Sequence, residues 1–464
     1  MELKGKRVLV VGLGKSGVAS ALFLQDKGAR VSVSDAKNPE QLRDEIPVLL
    51  DRGIKVETGA HQDRTFREQD LIVVSPGVPI DVPQLMRPRA KGIPVIGEIE
   101  LASRFLQGKV VAITGSNGKT TTTTLAGEIL EAGGRKTLVG GNIGTPAITF
   151  VERATENTWI VPEVSSCQLE TIADFHPKIA AILNITPDHL DRHHSFANYT
   201  AAKARIFENQ TEEDFAVLNA DNEPCIEVAE KSKAPVYWFS RVKEVDRGAF
   251  TRQGQILWRD RRGERPVMLV GEIPLKGAHN LENILASISI GMLADAAPEK
   301  IREAVMDFKA VEHRLEFVAK VRGVEYYNDS KATNVDATIK ALESFPGRIH
   351  LILGGKDKGS DYTVLNPLLK QRVKRVYTIG AAATKIEGQI RGAEVVSAGT
   401  LENAVKRADE IATAGDIVLL APACASFDQF ESYEHRGKVF KGLVQELLTR
   451  ESEQIASGSR GGKE

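Results

Sequence analysis

The chain has 464 residues, 42% of them hydrophobic, which is enough for roughly two to four domains, each with its own core. Its 61 lysine and arginine residues nearly balance its 62 aspartate and glutamate residues. This balance excludes the broad positive surface that non-specific nucleic-acid binding requires. The three cysteines, Cys167, Cys225 and Cys424, lie far apart, which argues against a disulfide framework and against a zinc ribbon.

The N-terminal stretch predicts a nucleotide-binding fold. Residues 7–11 and 31–35 are predicted as strands, and residues 18–27 as the helix between them. The first apolar run is short and interrupted by glycine, so neither a signal peptide nor a membrane span is expected and a cytoplasmic location is favoured. The turn Gly12-Leu-Gly-Lys-Ser-Gly17, followed by Asp35, meets the fingerprint of dinucleotide-binding enzymes. A glycine turn before a helix binds any pyrophosphate, however, so a UDP-sugar also fits.

A second glycine-bearing turn predicts a phosphate-binding loop. The stretch Thr114-Gly-Ser-Asn-Gly-Lys-Thr120 follows the apolar strand 110–113 and precedes a helix-like segment. Backbone N–H groups of such a turn point at phosphate oxygens, while Lys119 supplies a charge and the Thr120 hydroxyl can ligate Mg²⁺. The loop is shorter than the usual pattern, because Ile113 stands where that pattern has glycine. The predicted ligand is a nucleoside triphosphate.

Two further stretches carry groups that suit a metal and triphosphate site. Residues 159–163 are predicted as a strand that ends in Glu163, a carboxylate able to complete a Mg²⁺ site, although Pro162 suggests that the strand stops there. Further along, His189 and His193 lie four residues apart, as in zinc sites on helices. No glutamate stands beside His189, so a histidine near triphosphate and Mg²⁺ is favoured over a zinc ligand.

Two later segments have helical periodicity. In residues 196–207 the pattern makes Lys203 an ordinary surface lysine. In residues 278–293 the side chains of Asn280 and Asn283 fit either helix caps or contacts with an adenine edge.

Strand patterns predict two more sheets. Short apolar runs at residues 236–239, 255–258 and 267–270, separated by charged or glycine turns, predict an antiparallel meander. From about Lys309 onward, strands followed by polar loops alternate with helices, which predicts a parallel sheet with its functional loops at one edge. The polar tail 451–464 is predicted to be disordered.

Several loops resemble those of the Mur ligases. The phosphate loop is similar to one shared by Mur ligases and folylpolyglutamate synthases. The stretches Asn328-Asp-Ser-Lys-Ala-Thr-Asn334, Leu353-Gly-Gly-Lys-Asp-Lys358 and Pro422-Ala-Cys-Ala-Ser-Phe-Asp-Gln-Phe430 resemble the family member that adds D-glutamate. The resemblance extends from about residue 5 to residue 448.

This resemblance implies an α/β protein of three domains. Residues 1–97 would form a Rossmann-like domain for the UDP-sugar, and residues 98–308 a central P-loop ATPase domain with a small antiparallel part. Residues 309–450 would form a second Rossmann-like domain that binds the amino acid. Hinges near Gly97 and Lys309 are then expected to move during turnover.

The resemblance also implies the reaction. A monomeric, ATP-dependent ligase would add D-glutamate to UDP-N-acetylmuramoyl-L-alanine through an acyl phosphate, in the cytoplasmic synthesis of peptidoglycan precursors. An anionic carboxylate must approach a triphosphate in such a reaction, so cations placed at that point are the main requirement. Two Mg²⁺ sites are implied: Thr120 and Glu163 would serve the first, and His189 together with a CO₂-derived carbamate on Lys203 would serve the second.

Residue roles follow by motif from the same resemblance. The implied catalytic residues are Lys119, Glu163, His189 and Lys203. The implied ATP contacts are Gly115, Ser116, Asn117, Gly118, Lys119, Thr120, Thr121, Asn280, Asn283, Arg314 and Asp329. The implied UDP-sugar contacts are Lys15, Ser16, Asp35, Lys37, Ser75, Gly77, Asn142, Gln168 and His189. The implied D-glutamate contacts are Lys331, Thr333, Lys358, Ser426, Phe427 and Tyr433.

Three alternatives remain at this point. A dehydrogenase would use the first glycine turn for a redox cofactor but leaves the phosphate loop unexplained. A folylpolyglutamate synthase shares the chemistry but lacks the N-terminal uridine-binding domain and the loop 329–334. A non-catalytic scaffold would bind ATP and tolerate the loss of Lys119.

Overall fold

The computed structural model describes residues 1–275, 277–309 and 312–458, and only the backbone of residues 452–458. Its three β-sheets belong to two compact units. The first unit comprises Met1–Ile185, Ala197–Pro274 and Leu281–Phe308 and holds two of the sheets. The second comprises residues 186–196, the described part of 275–280 and the described residues from Lys309 onward. Within these described ranges, no helix is both long and apolar enough to cross a membrane.

The first sheet has five parallel strands in the order β3-β2-β1-β4-β5. The chain leaves β1 in one direction to form β2 and β3 and returns on the other side as β4 and β5, which opens a crevice at the carboxyl ends of the strands. The strands are β1 (Arg7–Val11), β2 (Arg30–Asp35), β3 (Lys55–Thr58), β4 (Leu71–Val74) and β5 (Val95–Gly97). The helices are α1 (Lys15–Asp26), α2 (Glu45–Leu50), α3 (Asp63–Arg67), α4 (Pro83–Ala90) and α5 (Glu98–Ser103).

The second sheet has nine strands in the order β14-β13-β12-β11-β10-β9-β6-β8-β7. Its strands are β6 (Lys109–Thr114), β7 (Lys136–Gly141), β8 (Thr158–Glu163), β9 (Ile179–Ile182), β10 (Phe215–Asn219), β11 (Val236–Ser240), β12 (Gly248–Arg252), β13 (Gln255–Asp260) and β14 (Gly263–Leu269). Its helices are α6 (Lys119–Ala132), α7 (Ser166–Leu169), α8 (Leu190–His193), α9 (Phe196–Ala204), α10 (Glu223–Val228), α11 (Ala278–Leu293) and α12 (Pro298–Asp307), of which α8 and the first residues of α9 and α11 belong to the second unit.

Two predictions for this sheet are wrong in detail. The predicted antiparallel meander is antiparallel only from β12 to β14. Strand β11 pairs in parallel with both β10 and β12, and the apolar pattern did not reveal β12. Strand β8 also continues through Pro162 to Glu163. Gly141 on the neighbouring strand β7 leaves space for the proline ring, because a Cβ at this position would lie 3.1 Å from the Pro162 Cβ.

The third sheet, in the second unit, has six strands in the order β15-β16-β20-β17-β18-β19, and only the β15–β16 pair is antiparallel. Its strands are β15 (Glu316–Val321), β16 (Val324–Asn328), β17 (Ile349–Gly354), β18 (Val373–Ile379), β19 (Glu394–Gly399) and β20 (Ile417–Leu420). Its helices are α13 (Val335–Glu343), α14 (Asn366–Arg372), α15 (Ala383–Gln389), α16 (Leu401–Ile411) and α17 (Tyr433–Gly458). Buried side chains on both faces of this sheet form its two cores.

The predicted α/β fold, with parallel sheets and a small antiparallel part, is confirmed. The prediction of a disordered tail is wrong for residues 451–458, which complete helix α17, while residues 459–464 lie outside the described residues. Glutamate, glutamine and alanine in that stretch are good helix formers, and they extend a helix that packing has already started.

Two buried carboxylates of helix α5 bond the segments that connect strands of the second sheet. The Glu98 carboxylate is 1% exposed, and its Oε1 accepts the backbone N–H of Ile148 at 2.7 Å. Glu100 is fully buried and accepts three consecutive N–H groups, those of residues 173–175, and also Arg104 Nε at 2.7 Å. Burial raises the pKa of Glu98 to about 7, against the opposing effect of the backbone hydrogen bonds.

Candidate active site

The phosphate loop joins strand β6 to helix α6. Gly118 caps the helix in the left-handed conformation, with φ of 85°, and a Cβ at this position would lie 2.0 Å from Asn283 Oδ1. Glycine is therefore required both by the backbone angle and by the close approach of Asn283. The approach brings one predicted ATP contact, Asn283, directly onto the loop.

Asn184, which follows strand β9, holds the loop by three hydrogen bonds. Its carbonyl accepts the N–H of Ser116 at 2.9 Å, its Oδ1 accepts the N–H of Asn117 at 2.8 Å, and its Nδ2 donates to the Asn117 carbonyl at 3.1 Å. The side chain is 5% exposed. This clamp was missed from the sequence, where the only signal was a polar residue near the end of an apolar strand.

The buried carboxylate of Glu163 contacts the start of helix α6. The Thr120 hydroxyl donates to Glu163 Oε2 at 2.7 Å, and Asn142 Nδ2 donates to Glu163 Oε1 at 3.1 Å. Glu163 is 2% exposed. A hydroxyl and a carboxylate oxygen in contact beside a phosphate loop are the oxygen ligands that Mg²⁺ prefers. Thr120, Glu163 and Asn142, three of the predicted site residues, thus lie together.

Two lysines lie on the same loop. Lys119 Nζ donates to the carbonyls of Gly115 and Ser116, each at 2.9 Å. Lys203 Nζ donates to the Gly115 carbonyl at 2.9 Å and lies 3.4 Å from Thr114 Oγ1. The surface position that periodicity predicted for Lys203 is wrong, because this residue is 1% exposed.

Tyr199 explains why a lysine is tolerated inside helix α9. The Lys203 ammonium lies 4.7 Å from the centre of the Tyr199 ring, an arrangement that stabilises a cation. The Tyr199 hydroxyl in turn lies 3.0 Å from the Ser116 hydroxyl of the loop. Residues 199 and 203 share one helix face through their i, i+4 spacing, and this face turns inward.

Two other predicted residues of this unit are buried with unused polar atoms. Gln168 is 2% exposed; its Oε1 accepts the Ser165 N–H at 2.9 Å, while its Nε2 has no hydrogen-bond partner among the described residues. The Thr121 hydroxyl is likewise buried without a partner in the described part of the chain. An unused amide donor is a group that a bound polar ligand can satisfy.

The first glycine turn borders a separate cavity of about 410 Å³ at the carboxyl ends of β1, β2 and β4. Gly12 has φ of 90°, and a Cβ on Gly17 would lie 1.9 Å from the Gly12 carbonyl. The predicted UDP-sugar residues Lys15, Ser16, Asp35, Lys37, Ser75 and Gly77 all line this cavity. Among the described residues, neither the Lys15 nor the Lys37 ammonium has a partner, so both are available to a pyrophosphate.

In the second unit, Asp188 gathers three donors. Its Oδ1 accepts Lys358 Nζ at 3.3 Å and the backbone N–H of His189 at 2.9 Å, and its Oδ2 accepts Asn334 Nδ2 at 2.9 Å. His189 has φ of 52°, an uncommon left-handed conformation for a histidine, and its side chain is 44% exposed. Asp188 was missed as a site residue although it directly precedes His189. Its carboxylate orders the predicted residues Lys358 and His189.

A second group in this unit forms around Tyr433. Lys331 Nζ donates to the Tyr433 hydroxyl at 3.1 Å and lies 4.9 Å from the centre of its ring. Ser330 Oγ donates to the Tyr433 carbonyl, and the fully buried Arg436 donates from Nε to that same Oγ at 2.9 Å. Arg436 also donates to the carbonyl of Cys424 at 3.1 Å. It thereby joins two of the loops that carried the resemblance.

The remaining predicted residues of this unit differ in exposure. Asp329 is 6% exposed, and burial raises its pKa to about 6 although the charge of Arg314 and the Leu315 N–H oppose the shift. Asn280 and Ser426 are buried, Thr333 is half-buried, and Phe427 is 68% exposed.

The zinc alternative at His189 and His193 gains no support. Among the described residues, the group of three whose ligand atoms lie within 4.8 Å of one another is Glu312, His313 and Glu316. Neither His189 nor His193 belongs to it, and Lys441 Nζ already lies 2.9 Å from Glu312 and 2.5 Å from Glu316.

Comparison with known proteins accounts for all three sheets. The Mur ligase MurD-like N-terminal domain matches residues 6–97, the Mur ligase middle domain matches residues 113–291, and the Mur ligase glutamate ligase domain matches residues 313–424. The chain therefore belongs to the Mur ligase family.

Its relatives narrow the class to one enzyme name. A protein of Koribacter versatilis is 67% identical over 97% of this chain and 100% of its own length. Proteins of Acidobacterium capsulatum and Solibacter usitatus are 59% and 51% identical, each over 96% of this chain, and over 97% and 99% of their own lengths. All three are named UDP-N-acetylmuramoylalanine–D-glutamate ligase.

Solved structures agree on the fold. A pseudomurein peptide ligase type C from Methanothermus fervidus is 21% identical, with a TM-score of 0.61 over 96% of this chain and 100% of that one. The MurF ligase of Thermotoga maritima, solved in complex with ADP, is 18% identical, with a TM-score of 0.59 over 97% of this chain and 96% of that one.

Proposed function

We propose that this chain adds D-glutamate to UDP-N-acetylmuramoyl-L-alanine and converts ATP to ADP and phosphate, in the synthesis of peptidoglycan precursors. The observation that carries the proposal is the phosphate loop with Glu163 on the Thr120 hydroxyl at 2.7 Å and the buried Lys203 on the Gly115 carbonyl at 2.9 Å. A simple nucleotide-binding loop needs neither group, whereas phosphoryl transfer to a carboxylate needs both charge and metal ligands. The name shared by the full-length relatives supplies the substrates.

The proposed reaction has two steps. An oxygen of the L-alanyl carboxylate attacks the γ-phosphorus of ATP, the bond to the β-phosphate oxygen breaks, and ADP leaves. The D-glutamate amine, after losing a proton, attacks the resulting acyl phosphate, and phosphate departs with the carboxylate oxygen. The first step makes a poor electrophile reactive at the expense of ATP.

The loop residues meet the electrostatic demand of the first step. We expect Lys119 to leave the two loop carbonyls and bind the β- and γ-phosphates, where its charge offsets the repulsion between carboxylate and triphosphate. Thr120 and Glu163 would hold Mg²⁺, and their contact through buried oxygen atoms fits that ion. Bound Mg²⁺ supplies charge neutralisation at the phosphate oxygens.

Lys203 is proposed to carry a carbamate formed from CO₂. A lysine amine forms a carbamate only when it is neutral, and Lys203, at 1% exposure, lies on the loop where a bound metal would stabilise the carbamate once formed. The resulting anion could orient a second Mg²⁺. The role of His189 at that metal stays a prediction.

In the second unit, Lys331 and Lys358 suit an amino acid that carries two carboxylates. The Lys331 ammonium donates to the Tyr433 hydroxyl at 3.1 Å and the Lys358 ammonium donates to Asp188 Oδ1 at 3.3 Å, so both cations are held in place by an oxygen. Thr333, Ser426 and Phe427 remain proposed members of the same pocket. The reaction is expected in the cytoplasm, where ATP is made, and one chain is expected to suffice.

Phosphate release from ATP tests the proposal. The full chain is assayed with UDP-N-acetylmuramoyl-L-alanine and, separately, D-glutamate, L-glutamate, L-lysine or no amino acid. Release that requires both the sugar nucleotide and D-glutamate is the expected result. Release with another amino acid would retain the ligase class and discard the proposed pocket, and no release in any mixture would contradict the proposal.

A further inference from the structure

The cavity beside the first glycine turn has a polar lining residue, His61, that the motifs did not predict. His61 follows strand β3 and borders the cavity together with residues 12–16, 35–37 and 75–79. The sheet order β3-β2-β1 places the pyrophosphate turn after β1, Asp35 at the end of β2, and His61 beyond the end of β3. A nucleotide that starts with its pyrophosphate at β1 therefore reaches His61 with its outer part, the base.

The hydrogen-bond network around His61 indicates which of its ring nitrogens carries the proton. The buried Ser34 hydroxyl lies 2.8 Å from His61 Nδ1 and 3.3 Å from Glu57 Oε1. Ser34 has a single proton, and a carboxylate can only accept, so this proton goes to Glu57. Ser34 then accepts from Nδ1–H of His61. The tautomer with its proton on Nδ1 presents Nε2 as a hydrogen-bond acceptor.

The other groups of this network hold that arrangement. Glu57 Oε1 also accepts the Gln62 N–H at 2.8 Å, and its Oε2 accepts the Thr65 hydroxyl at 2.6 Å. The His61 ring packs edge-on against the buried Phe66, with ring centres 5.4 Å apart. Within the described residues, Nε2 itself has no hydrogen-bond partner. His61 thus borders the cavity and carries a ring nitrogen to which no described residue donates.

Neighbouring polar groups of the cavity already hold the glycine turn. Asp35 Oδ2 accepts the Leu13 N–H at 2.6 Å and its Oδ1 accepts the Lys37 N–H at 2.8 Å. The Ser75 hydroxyl donates to the Gly12 carbonyl at 2.8 Å. The Asp35 carboxylate therefore supports the glycine turn with one bond to each oxygen, whereas no described residue donates to His61 Nε2.

We propose that His61 Nε2 accepts a hydrogen bond from N3–H of the uracil ring, which makes His61 a specificity residue for the sugar nucleotide. This inference rests on the proposed function, which supplies the uridine nucleotide. Uracil carries one ring N–H donor between two carbonyl acceptors, and a fixed acceptor opposite that donor distinguishes uracil from a base that lacks it. His61 follows a strand of the first sheet, whereas the phosphate loop follows a strand of the second, so the proposed contribution of His61 is to binding.

The test compares the affinities of UDP and N3-methyl-UDP for the full-length parent, His61→Asn and His61→Gln. Asparagine can reach Ser34 but ends at the Nδ1 position, whereas glutamine can place an oxygen near the Nε2 position. Loss of one neutral hydrogen bond corresponds to about 5- to 10-fold in affinity. We expect the parent and H61Q to prefer UDP over N3-methyl-UDP by about that factor, and H61N to bind both probes equally.

Turnover provides the second readout. H61N should raise KM for UDP-N-acetylmuramoyl-L-alanine about 5- to 10-fold and leave kcat unchanged, as expected for a contact made equally in the ground and transition states. A preference for UDP that persists in H61N would overturn the proposal. So would a preference for UDP over 2′-deoxy-UDP that disappears in H61N, because it would assign the contact to the ribose. UDP binding does not depend on D-glutamate ligation, so failure of the proposed function would leave this test readable.

Discussion

Two glycine-rich turns in the first unit have similar sequences and different surroundings. Each follows a buried parallel strand and opens a helix, and each carries a lysine near the helix start: Lys15 in the first turn and Lys119 in the second. The first turn borders a cavity of about 410 Å³, and Lys15 is exposed. The second is enclosed by buried polar side chains, among them Asn184, Glu163 and Lys203.

This difference separates binding from chemistry. Backbone N–H groups and a helix N-terminus suffice to hold a pyrophosphate that does not react. Transfer of a phosphoryl group requires cations and metal ligands that are in place before the reaction, and the second turn has such groups. The distinguishing residues come from β8, from the end of β9 and from α9, all distant in sequence from the turn itself.

The largest expected effect comes from replacing the two lysines in turn. Lys119→Ala should lower kcat for phosphate release by about 10²- to 10³-fold, because it removes charge where charge develops. Lys15→Ala should instead raise KM for the sugar nucleotide about tenfold and leave kcat unchanged, because it removes one charge-assisted contact to a non-reacting pyrophosphate. Steady-state kinetics on both variants measure this. Equal effects of the two variants on kcat would break the distinction.

A somewhat smaller loss is expected from Lys203→Ala. Removal of the proposed carbamate should lower kcat about 10²-fold, and added formate or acetate should restore part of it by supplying a carboxylate in the vacated space. The matched control is Lys119→Ala, which the same salts should not rescue, since that variant lacks a cation. If K203A is as active as the parent without added formate or acetate, Lys203 has no part in the mechanism.

The packing of the second turn can be tested through glycine. Gly118→Ala should lower the free energy of unfolding by about 2 to 4 kcal/mol, because it adds a clash with Asn283 to the left-handed backbone angle. Gly134→Ala has a similar φ, 77°, and open space around the added Cβ, so it should cost only about 1 kcal/mol. Urea unfolding of both variants gives the difference. Equal losses would mean that the contact with Asn283 contributes nothing.

The smallest expected effect is a pH dependence of the free energy of unfolding, caused by the buried carboxylate of Glu98 in helix α5. The pKa of Glu98 is raised to about 7 by burial, so the folded state binds this proton more tightly than the unfolded state. Stability from this group is complete below the unfolded pKa and is lost as pH rises through about 7. Glu98→Gln should therefore be more stable than the parent by about 1 to 3 kcal/mol at pH 8, and the difference should shrink towards pH 5.

Glu100 is the control for that result. Its carboxylate accepts three backbone N–H groups and Arg104, so Glu100→Gln should lose stability at both pH values. Urea unfolding at pH 5 and pH 8 measures both variants. A parent whose stability does not fall over this range would contradict the assignment to Glu98.

Local pattern predicted most of the fold, and distant contacts explain what it missed. Strand β1 and helix α11 begin and end where their apolar patterns predicted. The burial of Lys203 was not predictable from periodicity, because it depends on the loop carbonyl and the Tyr199 ring that receive its ammonium group. Strand β12 was missed because its apolar run is only two residues long, Ala249 and Phe250, and its pairing with β11 and β13 defines it.

The candidate site divides in the same way. Loop residues such as Thr120 were predictable because the phosphate motif is continuous in sequence. Asn184, Asp188 and Arg436 were not, because each acts on a segment elsewhere in its own unit through hydrogen bonds that no spacing rule describes.

The most direct test of the account follows the oxygen atom. UDP-N-acetylmuramoyl-L-alanine is labelled with ¹⁸O in its L-alanyl carboxylate and turned over with ATP and D-glutamate, and the released phosphate is examined by mass spectrometry. If the second turn activates the carboxylate as an acyl phosphate, one labelled oxygen appears in each phosphate. Phosphate that is free of label, released together with ligated product, would contradict the account.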